Sequence, residues 1–319
     1  MKKHFAIGVI LKNEGAYIAE WIAYHHLLGF DSFYLLDNDS TDDSWQVIGT
    51  ISKHIPIRKE KFPYLGDANV CFPAYSWILQ KAREDEVDYL ALIDLDEFFF
   101  PESKGGSFRD SLESLFLDDE VSAVGINWCC YGTSGHFLKP EGLVTECFTR
   151  HSSKEFSVNH HYKSIVRPER VSHVINTHQM GLHRGKYIHS DGSQLEPHPD
   201  HPFGLSQKVC WDGIRLNHYV LKSTEEFILN KALKGCGESG AKIKGEEYYS
   251  HHNQNGLNSA RLPFPADQIQ KTITVWLPPA KSGIMGRAFK RVFRKIKKRW
   301  QKFRHCRRKR SLAKEESLT

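Results

Sequence analysis

Apolar and polar residues alternate in blocks along the first hundred positions of the chain. Two apolar runs, residues 5–11 and 32–36, are each followed by polar residues and then by a segment whose apolar positions lie three and four apart. Continuous apolar runs of this length indicate strands buried on both faces, and the wider spacing indicates helices. With a short strand near residues 55–58 and a helix from about 68 to 83, the pattern predicts a doubly wound, mostly parallel α/β sheet.

A third apolar run, residues 89–93, leads directly into Asp94, Asp96 and Glu97. Asp94 and Asp96 are two positions apart, so in an extended chain both side chains point the same way. Two carboxylates on one face repel each other unless a cation lies between them. A hard divalent ion fits such a pair, and ions of this kind commonly bind substrate phosphates as well. The sequence therefore predicts a metal site, with a strand end capped by solvated acids as the alternative.

Polar residues also follow the first two strands, as Asn13-Glu14 and as Asp37-Asn38. In a parallel sheet these strand ends share one edge with Asp94, and ligands of open α/β sheets bind at that edge. No Gly-x-Gly-x-x-Gly follows the first strand, so a dinucleotide cradle is not indicated. A nucleotide held by Asp and Asn side chains, with its diphosphate on a metal, fits these residues.

Beyond residue 101 the pattern changes character. Strands are predicted near residues 121–131, 162–168, 171–180 and 216–220, with more Gly, His and aromatic residues between them. We expect a mixed half of the same domain. The seven cysteines include no C-x-x-C pair, which favours reduced thiols in a cytoplasmic setting over a disulfide framework or a structural zinc site.

The charge of the chain is segregated. Residues 281–319 hold 16 Lys and Arg against two Glu, whereas residues 1–280 carry a net charge of −8. On a helix the apolar residues of this tail would form one stripe with the cations off it: Met285, Phe289, Val292, Phe293, Ile296, Trp300 and Phe303. This pattern is typical of a helix lying in a membrane interface. We expect residues 284–304 to bind an anionic membrane surface, on the inner face of the cell membrane; docking onto the acidic body is the alternative.

An ordered set of motifs resembles the GT-A-type glycosyltransferases, specifically the family-2-like and family-92-like enzymes. The motifs are Lys12-Asn13-Glu14, His25-His26 with Gly29, Asp37-Asn38-x-Ser40-x-Asp42, Asp94-x-Asp96-Glu97-Phe98, Lys163-Ser164-Ile165-Val166-x-Pro168 and Asn217-His218-Tyr219 with Lys222-Ser223. Together they span residues 12–223.

The resemblance implies a role for each matching residue. Asp37 and its neighbours Asn13, Glu14 and Asn38 would contact the nucleotide sugar. Asp94 and Asp96 would hold Mn²⁺ or Mg²⁺ on the diphosphate, and imidazole with carboxylate favours manganese. His218 would complete the metal shell; a core histidine is the alternative. Lys163 would neutralise phosphate or orient the acceptor, unless it is a solvated strand lysine.

The resemblance also implies inversion at the anomeric carbon, with an acidic residue as the base that activates the acceptor hydroxyl. The Glu-Asp pair that opens a helix in related enzymes is absent here. Asp191 is the preferred candidate for the base, and Glu196 and Glu97 are the alternatives.

These inferences together predict a metal-dependent, inverting hexosyltransferase that uses a UDP-linked donor and a glycan or glycolipid acceptor, such as a bacterial surface polysaccharide or lipopolysaccharide. Its parts would be a nucleotide-sugar-binding half (residues 1–130), an acceptor-side half (131–262), a Pro-containing linker (263–280) and the basic tail (281–319). A nucleotidyltransferase is one alternative. A non-catalytic nucleic-acid-binding protein is another, although the acidic body gives no basic face and no nucleic-acid partner is expected.

Overall fold

The computed structural model describes residues 2–63, 70–102, 107–232, 244–259 and 262–278. Strands and helices alternate through its amino-terminal part. The elements are β1 (Phe5–Leu11), α1 (Ile18–Leu28), β2 (Ser32–Asp37), α2 (Ser44–Ile51), β3 (Ile57–Lys61), α3 (Cys71–Glu84) and β4 (Tyr89–Leu92). The predicted alternation of strands and helices over this part of the chain is confirmed.

Shorter strands and fewer helices make up the rest of the described chain. They are β5 (Glu97–Pro101), α4 (Phe108–Leu115), β6 (Val121–Cys130), α5 (Val144–Cys147), β7 (Arg150–His151), β8 (Tyr162–Val166), β9 (Val171–Val174), β10 (Met180–Leu182), β11 (Lys186–His189), β12 (Ile214–His218), α6 (Thr224–Glu226), α7 (Glu246–His252), β13 (Leu257–Asn258) and α8 (Ala266–Trp276). A π-helical turn, Phe227–Lys231, continues α6. Residues 171–180, predicted as one strand, contain β9 and the start of β10, which pair as an antiparallel hairpin.

One nine-stranded sheet joins both parts of the described chain, in the order β3-β2-β1-β4-β8-β6-β12-β5 with β11 beside β6. The strands β3, β2, β1 and β4 run parallel. In contrast, β8 is antiparallel to both β4 and β6, and β5 is antiparallel to β12. The predicted fold class, a doubly wound sheet with a mixed second half, is confirmed.

Both faces of the sheet are covered, which explains why its central strands are apolar throughout. In β1, Phe5 and Ile7 face the core beneath α1 and α2, whereas Ala6 faces the core beneath α3. Gly8 also faces α3, and a Cβ at this position would lie 2.7 Å from Ile78 Cγ2. The absence of a side chain at Gly8 therefore allows the close approach of α3.

The structure corrects one expected boundary. Residues 263–280 were expected to be a linker, yet Ala266–Trp276 form α8, which packs against α1. Ile269 and Trp276 are buried there, and the Trp276 ring lies 5.6 Å from the His26 ring. Burial of these apolar side chains stabilises the helix on the body. The basic tail, residues 281–319, lies outside the described residues, so its predicted helix stays a prediction.

Candidate active site at the carboxyl edge of the sheet

The carboxyl ends of β1, β2 and β4 meet at one edge of the sheet, as the parallel pattern predicted. Leu11 at the end of β1 pairs with Asp37 at the end of β2. On the other side of β1, the Ile93 amide donates to the Gly8 carbonyl at 3.3 Å, which brings the Asp94 segment to the same edge. The sequence-predicted acidic residues of these three strand ends therefore lie along one crevice.

Asp94 and Asp96 lie on a turn between β4 and β5, not on the extended strand that the sequence suggested. The Glu97 carboxylate closes this turn, because its Oε2 accepts from the Asp94 amide at 2.7 Å. In return the Glu97 amide donates to the Asp94 carbonyl at 3.1 Å. The Trp21 indole N–H donates to the Glu97 carbonyl at 3.0 Å, which fixes the turn against α1.

Each of the two aspartates has its own lysine partner. Lys163 Nζ donates to Asp94 Oδ2 at 3.0 Å and to the Thr177 carbonyl at 3.0 Å. The Lys163 side chain is fully buried while that of Asp94 is 42% exposed. Burial alone would lower the pKa of Lys163, but Asp94 and Glu97 raise it well above its usual range. Lys163 therefore carries its charge inside the protein, next to a carboxylate that reaches the crevice.

Asp96 interacts with Lys231 and His218. Lys231 Nζ lies 2.6 Å from Asp96 Oδ2, and His218 Nε2 lies 3.7 Å from Asp96 Oδ1. Burial would raise the pKa of Asp96, yet Lys231 and His218 hold it well below its usual range. Burial lowers the pKa of His218. Asp96 is therefore a buried, ionised carboxylate beside a neutral imidazole.

Glu97 differs from the two aspartates because its carboxylate forms no ion pair among the described residues, although Lys163 is near enough to oppose the rise of its pKa. Its side chain is fully buried, and burial raises its pKa to about 8 with contributions from Asp94 and Asp96. At neutral pH Glu97 is therefore mostly a protonated acid. A buried, protonated carboxyl group is unsuited to take a proton from an acceptor, so we assign Glu97 a role in shaping the turn.

Asp96 and His218 fit a divalent metal ion. Their 3.7 Å separation exceeds a hydrogen bond but suits two ligands of one ion at bond lengths of about 2.1 Å. The ammonium group of Lys231 already supplies a positive charge next to Asp96, where a metal ion would lie. Neutral imidazole and carboxylate are ligands that Mn²⁺ and Mg²⁺ accept, with imidazole favouring Mn²⁺.

A second group of potential ligands is formed by Asp191, Cys210 and Asp212, whose ligand atoms lie within 4.8 Å of one another. Both carboxylates are exposed, and burial raises the pKa of the Cys210 thiol. A metal binds the thiolate, so a thiol that resists deprotonation is a poor ligand. We therefore favour Asp96 and His218 as the metal ligands of this chain.

The ends of β1 and β2 form the part of the crevice next to Asp94. Asp37 is buried, forms an ion pair with Lys61 and accepts from the Ser40 amide at 3.3 Å. Asn38 donates to the Phe62 carbonyl at 3.0 Å, which ties the end of β2 to the end of β3.

The loop after β1 is anchored to the loop after β2. Asn13 Oδ1 accepts from the Thr41 amide at 2.7 Å, and the Glu14 amide donates to Ser44 Oγ at 2.9 Å. The predicted nucleotide-binding residues of β1 and β2 are thus brought together. The side-chain amides of Asn13 and Asn38 already shape the loops, so their predicted nucleotide contacts stay predictions.

Asp191 is not brought to the metal pair. It lies beside the start of β12, because Ser190 Oγ donates to the Asp212 carbonyl at 2.7 Å. His218 is at the other end of β12, about 13 Å away at the usual rise of a strand. Asp191 Oδ1 accepts from the amide and hydroxyl of Ser193. The structure therefore does not support the prediction that Asp191 is the base.

The pKa of Asp191 agrees with a structural role. Burial would raise it, but the hydrogen bonds from Ser193 lower it to about 2. Glu196, the other candidate from the loop, is exposed, and its carbonyl accepts from the Gln207 amide at 2.8 Å. Among the described residues, neither Asp191 nor Glu196 forms a hydrogen bond or ion pair with Asp94, Asp96 or His218.

Sequence reasoning missed two groups of residues at this edge. Lys231 was not expected, because nothing in the sequence connects a helical lysine to an aspartate 135 positions away. The second group surrounds Trp128 near the carboxyl end of β6, whose ring contacts the rings of His161, His178 and His218. An aromatic residue near the end of a buried strand was the available signal for Trp128.

No protein-family model matches the chain. A glycosyltransferase family 92 protein of Arabidopsis thaliana is 29% identical over 196 residues, which are 58% of this chain and 32% of the relative. A glycosyltransferase family 92 protein of Oryza sativa subsp. japonica is 26% identical over 277 residues, 84% of this chain and 44% of the relative. The predicted resemblance to family 92 is confirmed. The chain spans less than half the length of these two curated relatives.

Two solved structures are more distantly similar. S. aureus TarS 1-349 in complex with UDP-GlcNAc is 10% identical, with a TM-score of 0.39. The similarity covers 86% of this chain and 71% of the TarS 1-349 chain. Glucosyl-3-phosphoglycerate synthase of Mycobacterium tuberculosis, solved with Mn²⁺, UDP-glucose and glycerol 3-phosphate, is 15% identical with a TM-score of 0.31. The similarity covers 53% of this chain and 58% of the synthase chain.

Proposed function

We propose that the chain is a metal-dependent glycosyltransferase that moves a sugar from a nucleotide-sugar donor to an acceptor hydroxyl. The observation that carries this proposal is the arrangement of Asp96, His218 and Lys231 at the carboxyl edge of the sheet, beside the Asp94–Lys163 pair. Opposed buried charges at a ligand-binding edge suit a diphosphate with its cation. The names of the family 92 relatives support the same activity.

The crevice suggests how a donor would bind. Its nucleoside would lie over the ends of β1 and β2, where Asp37 is the central acid. Its diphosphate would lie at Asp94 and Asp96, where Asp96 and His218 would hold the metal ion. A bound Mn²⁺ or Mg²⁺ would supply Lewis-acid stabilisation of the charge on the leaving diphosphate. Lys163 holds Asp94 in place, because it donates to that carboxylate from a fully buried position.

The finer parts of the proposal are a UDP-linked hexose donor and inversion at the anomeric carbon. Inversion requires the acceptor hydroxyl to attack from the side opposite the diphosphate, with a base beside it. We place this acceptor on the β6 and β12 side of the edge, away from the proposed nucleoside position at the ends of β1 and β2. We propose a glycan or glycolipid acceptor, in keeping with the membrane proposal below.

The test is a panel of nucleotide sugars incubated with the full chain and Mn²⁺, with the products separated by chromatography. Glycosyl transfer to water or sugar releases a nucleoside diphosphate, whereas nucleotidyl transfer from the same donor breaks the diphosphate and releases a sugar 1-phosphate. Release of UDP from one UDP-sugar, lost on chelation of the metal, is the expected result. Release of a sugar 1-phosphate, or no reaction with any donor and no binding of UDP, would contradict the proposal.

We further propose that the chain works on the inner face of the cell membrane, held there by residues 284–304. The support is the sequence alone: an apolar stripe with Trp300 and Phe289 surrounded by cations, and an acidic body. No helix among the residues that the structure describes combines the length and apolar character needed to cross a membrane. The full chain should sediment with vesicles of anionic lipid, whereas a chain ending at residue 280 should stay in the supernatant. Equal sedimentation of both chains would refute this anchor.

A further inference from the structure

A cluster of aromatic and imidazole rings lies next to the metal pair and has no role in the donor site described above. The Trp128 ring lies 4.2 Å from the His218 ring, 4.8 Å from the His161 ring and 5.2 Å from the His178 ring. The His161 and His178 rings are 5.1 Å apart. The Trp128 indole ring therefore separates His161 from His218, the proposed metal ligand.

This Trp128 cluster is at the edge of the sheet where the donor would bind. Strand β8 runs antiparallel to β4, so its first residues lie beside the carboxyl end of β4. Lys163, the second residue of β8, reaches Asp94. His161 immediately precedes β8, and its carbonyl accepts from the Trp128 amide at 2.9 Å. His161 is half-buried, so part of its surface faces solvent.

Trp128 itself indicates that a polar ligand binds here. Its side chain is only 8% exposed, and its indole N–H is buried without a hydrogen-bond partner among the described residues. Buried N–H groups are nearly always satisfied, and one left open at a binding site fits a ligand oxygen. A sugar or acceptor hydroxyl would satisfy the Trp128 N–H.

The backbone fixes the tautomer of His161. Its Nδ1 lies 3.0 Å from the Val158 carbonyl oxygen, which can only accept, so Nδ1 carries the hydrogen. In the neutral ring Nε2 therefore has a free lone pair. This is the arrangement of a general base, in which one ring nitrogen is held by an acceptor and the other takes a proton.

Each carboxylate of this edge has a partner in the structure. Asp94 accepts from Lys163 and Asp96 accepts from Lys231. Glu97 is fully buried, and burial raises its pKa to about 8. His161 differs from these three carboxylates, because its ring has no ion pair among the described residues and part of its surface faces solvent.

We propose that His161 is the catalytic base of the sugar transfer, an inference that rests on the glycosyltransferase activity proposed above. His161 Nε2 takes the proton of the acceptor hydroxyl as the oxygen of that hydroxyl bonds to the anomeric carbon. The bond from this carbon to the diphosphate oxygen breaks with its electron pair, which leaves with the nucleoside diphosphate. The imidazolium then releases its proton to water through the half-exposed face of the ring.

The charges around His161 favour its neutral form. Burial lowers the pKa of His161 below its ordinary 6.5, and His218, Lys163 and His160 lower it further, while the hydrogen bond to the Val158 carbonyl opposes them. His178, the other ring in contact with His161, has a pKa well below its usual range because it is buried. The base is therefore unprotonated at neutral pH, and the rate should fall as the pH drops through the pKa of His161.

The test compares His161→Gln with the matched control His160→Gln. His160 is the adjacent residue and also bonds a carbonyl through Nδ1, that of Ser206 at 2.8 Å, but its ring contacts His198 instead of Trp128. The probe is the UDP-sugar that the wild-type chain hydrolyses with saturating Mn²⁺, so that water takes the place of the unknown acceptor. Affinity for UDP with Mn²⁺ is measured separately by calorimetry.

We expect His161→Gln to lower kcat by roughly 10²–10⁴-fold. Its affinity for UDP with Mn²⁺ should stay within about twofold of wild type, which also shows that the variant is folded. His160→Gln should retain both the wild-type kcat and the wild-type affinity for UDP with Mn²⁺. In the wild-type chain kcat should fall with a slope of one at a pH below the ordinary histidine value of 6.5, and His161→Gln should lose this dependence.

Three outcomes would overturn the proposal. A His161→Gln variant with wild-type kcat, a loss of UDP affinity as large as the loss of kcat, or a wild-type kcat that is flat between pH 5 and pH 8 would each exclude His161 as base. The wild-type pH profile decides the matter even if the variant does not fold. A wild-type chain that neither binds UDP nor hydrolyses any UDP-sugar would overturn the glycosyltransferase proposal first, and this inference with it.

Discussion

Two acidic clusters of this chain look alike in the sequence and differ in the structure. In the turn after β4, Asp94 and Asp96 are ion-paired to lysines 69 and 135 positions away. In the loop after β11, Asp191 accepts hydrogen bonds from Ser193, two positions away, and its nearest cation is Lys208 at 3.5 Å. The first cluster gathers charges from distant parts of the chain at a sheet edge, and the second is a local turn.

This difference separates a candidate active site from a structural feature. Burying a charge is costly unless a partner compensates it. The fully buried Lys163 and the partly buried Lys231 at one edge of the sheet therefore indicate a functional site. A loop aspartate that accepts from its own neighbour stabilises a turn and needs no further explanation. The proposals therefore place the chemistry at Asp96 and give Asp191 a role in its loop.

The largest effect is expected from Asp96→Asn, which removes a proposed metal ligand and preserves the shape of the side chain. Turnover of a UDP-sugar should fall by about 10³-fold or more, because charge stabilisation of the leaving group is lost. The variant should also unfold at a lower temperature, since the partly buried Lys231 ammonium loses its partner.

A double variant separates these two consequences of Asp96→Asn. Adding Lys231→Met removes the uncompensated charge, so the unfolding temperature measured by circular dichroism should recover while turnover does not. Recovery of turnover in the double variant would show that the loss came from instability, and the Asp96 cluster would then lose its catalytic role.

A smaller effect is expected from Asp37→Asn, at the nucleoside part of the crevice. The KM for the donor should rise about 10–100-fold with kcat nearly unchanged, because a hydrogen bond to a charged group is lost equally before and during the reaction. Lys61→Met is the comparison, because Lys61 pairs with Asp37 from a half-exposed position. If Asp37→Asn lowered kcat and left KM alone, Asp37 would belong with the reacting groups.

Lys231→Met should act on metal binding in the absence of donor. In the free protein a metal ion at Asp96 competes with the Lys231 ammonium at 2.6 Å. Without that competitor the affinity for Mn²⁺ should rise by about tenfold, the worth of one charge-assisted hydrogen bond. Titration of Mn²⁺ followed by electron paramagnetic resonance measures this affinity. Unchanged or weaker Mn²⁺ binding would mean that the ion does not take the place of Lys231.

The sequence predicted the fold better than the site, for a physical reason. Strands such as β1 and β4 are specified by local apolar runs, and Asp94 and Asp96 follow such a run. The partners of these acids depend on which strands become neighbours, and that follows from the whole sheet. Lys231 reaches Asp96 from a π-helical turn, which no spacing rule anticipates. Prolines flank the segment that forms α8, so the sequence predicts a linker where the structure has a helix.

The smallest effect is expected from Asp191→Asn, which contrasts most directly with Asp96→Asn. Hydrolysis of a UDP-sugar should stay within about twofold of wild type, because substitutions away from a site change energies little. The consequence should appear in stability. Hydrogen bonds from Ser193 lower the pKa of Asp191 to about 2, so the ionised group stabilises the fold at and above its ordinary value of 3.8. That contribution disappears as the pH falls through 2, so thermal melts of the variant and the wild type should differ at pH 7 and converge as the pH approaches 2. A 10²-fold loss of turnover with an unchanged melting temperature would restore Asp191 as the base and remove the contrast between the two clusters.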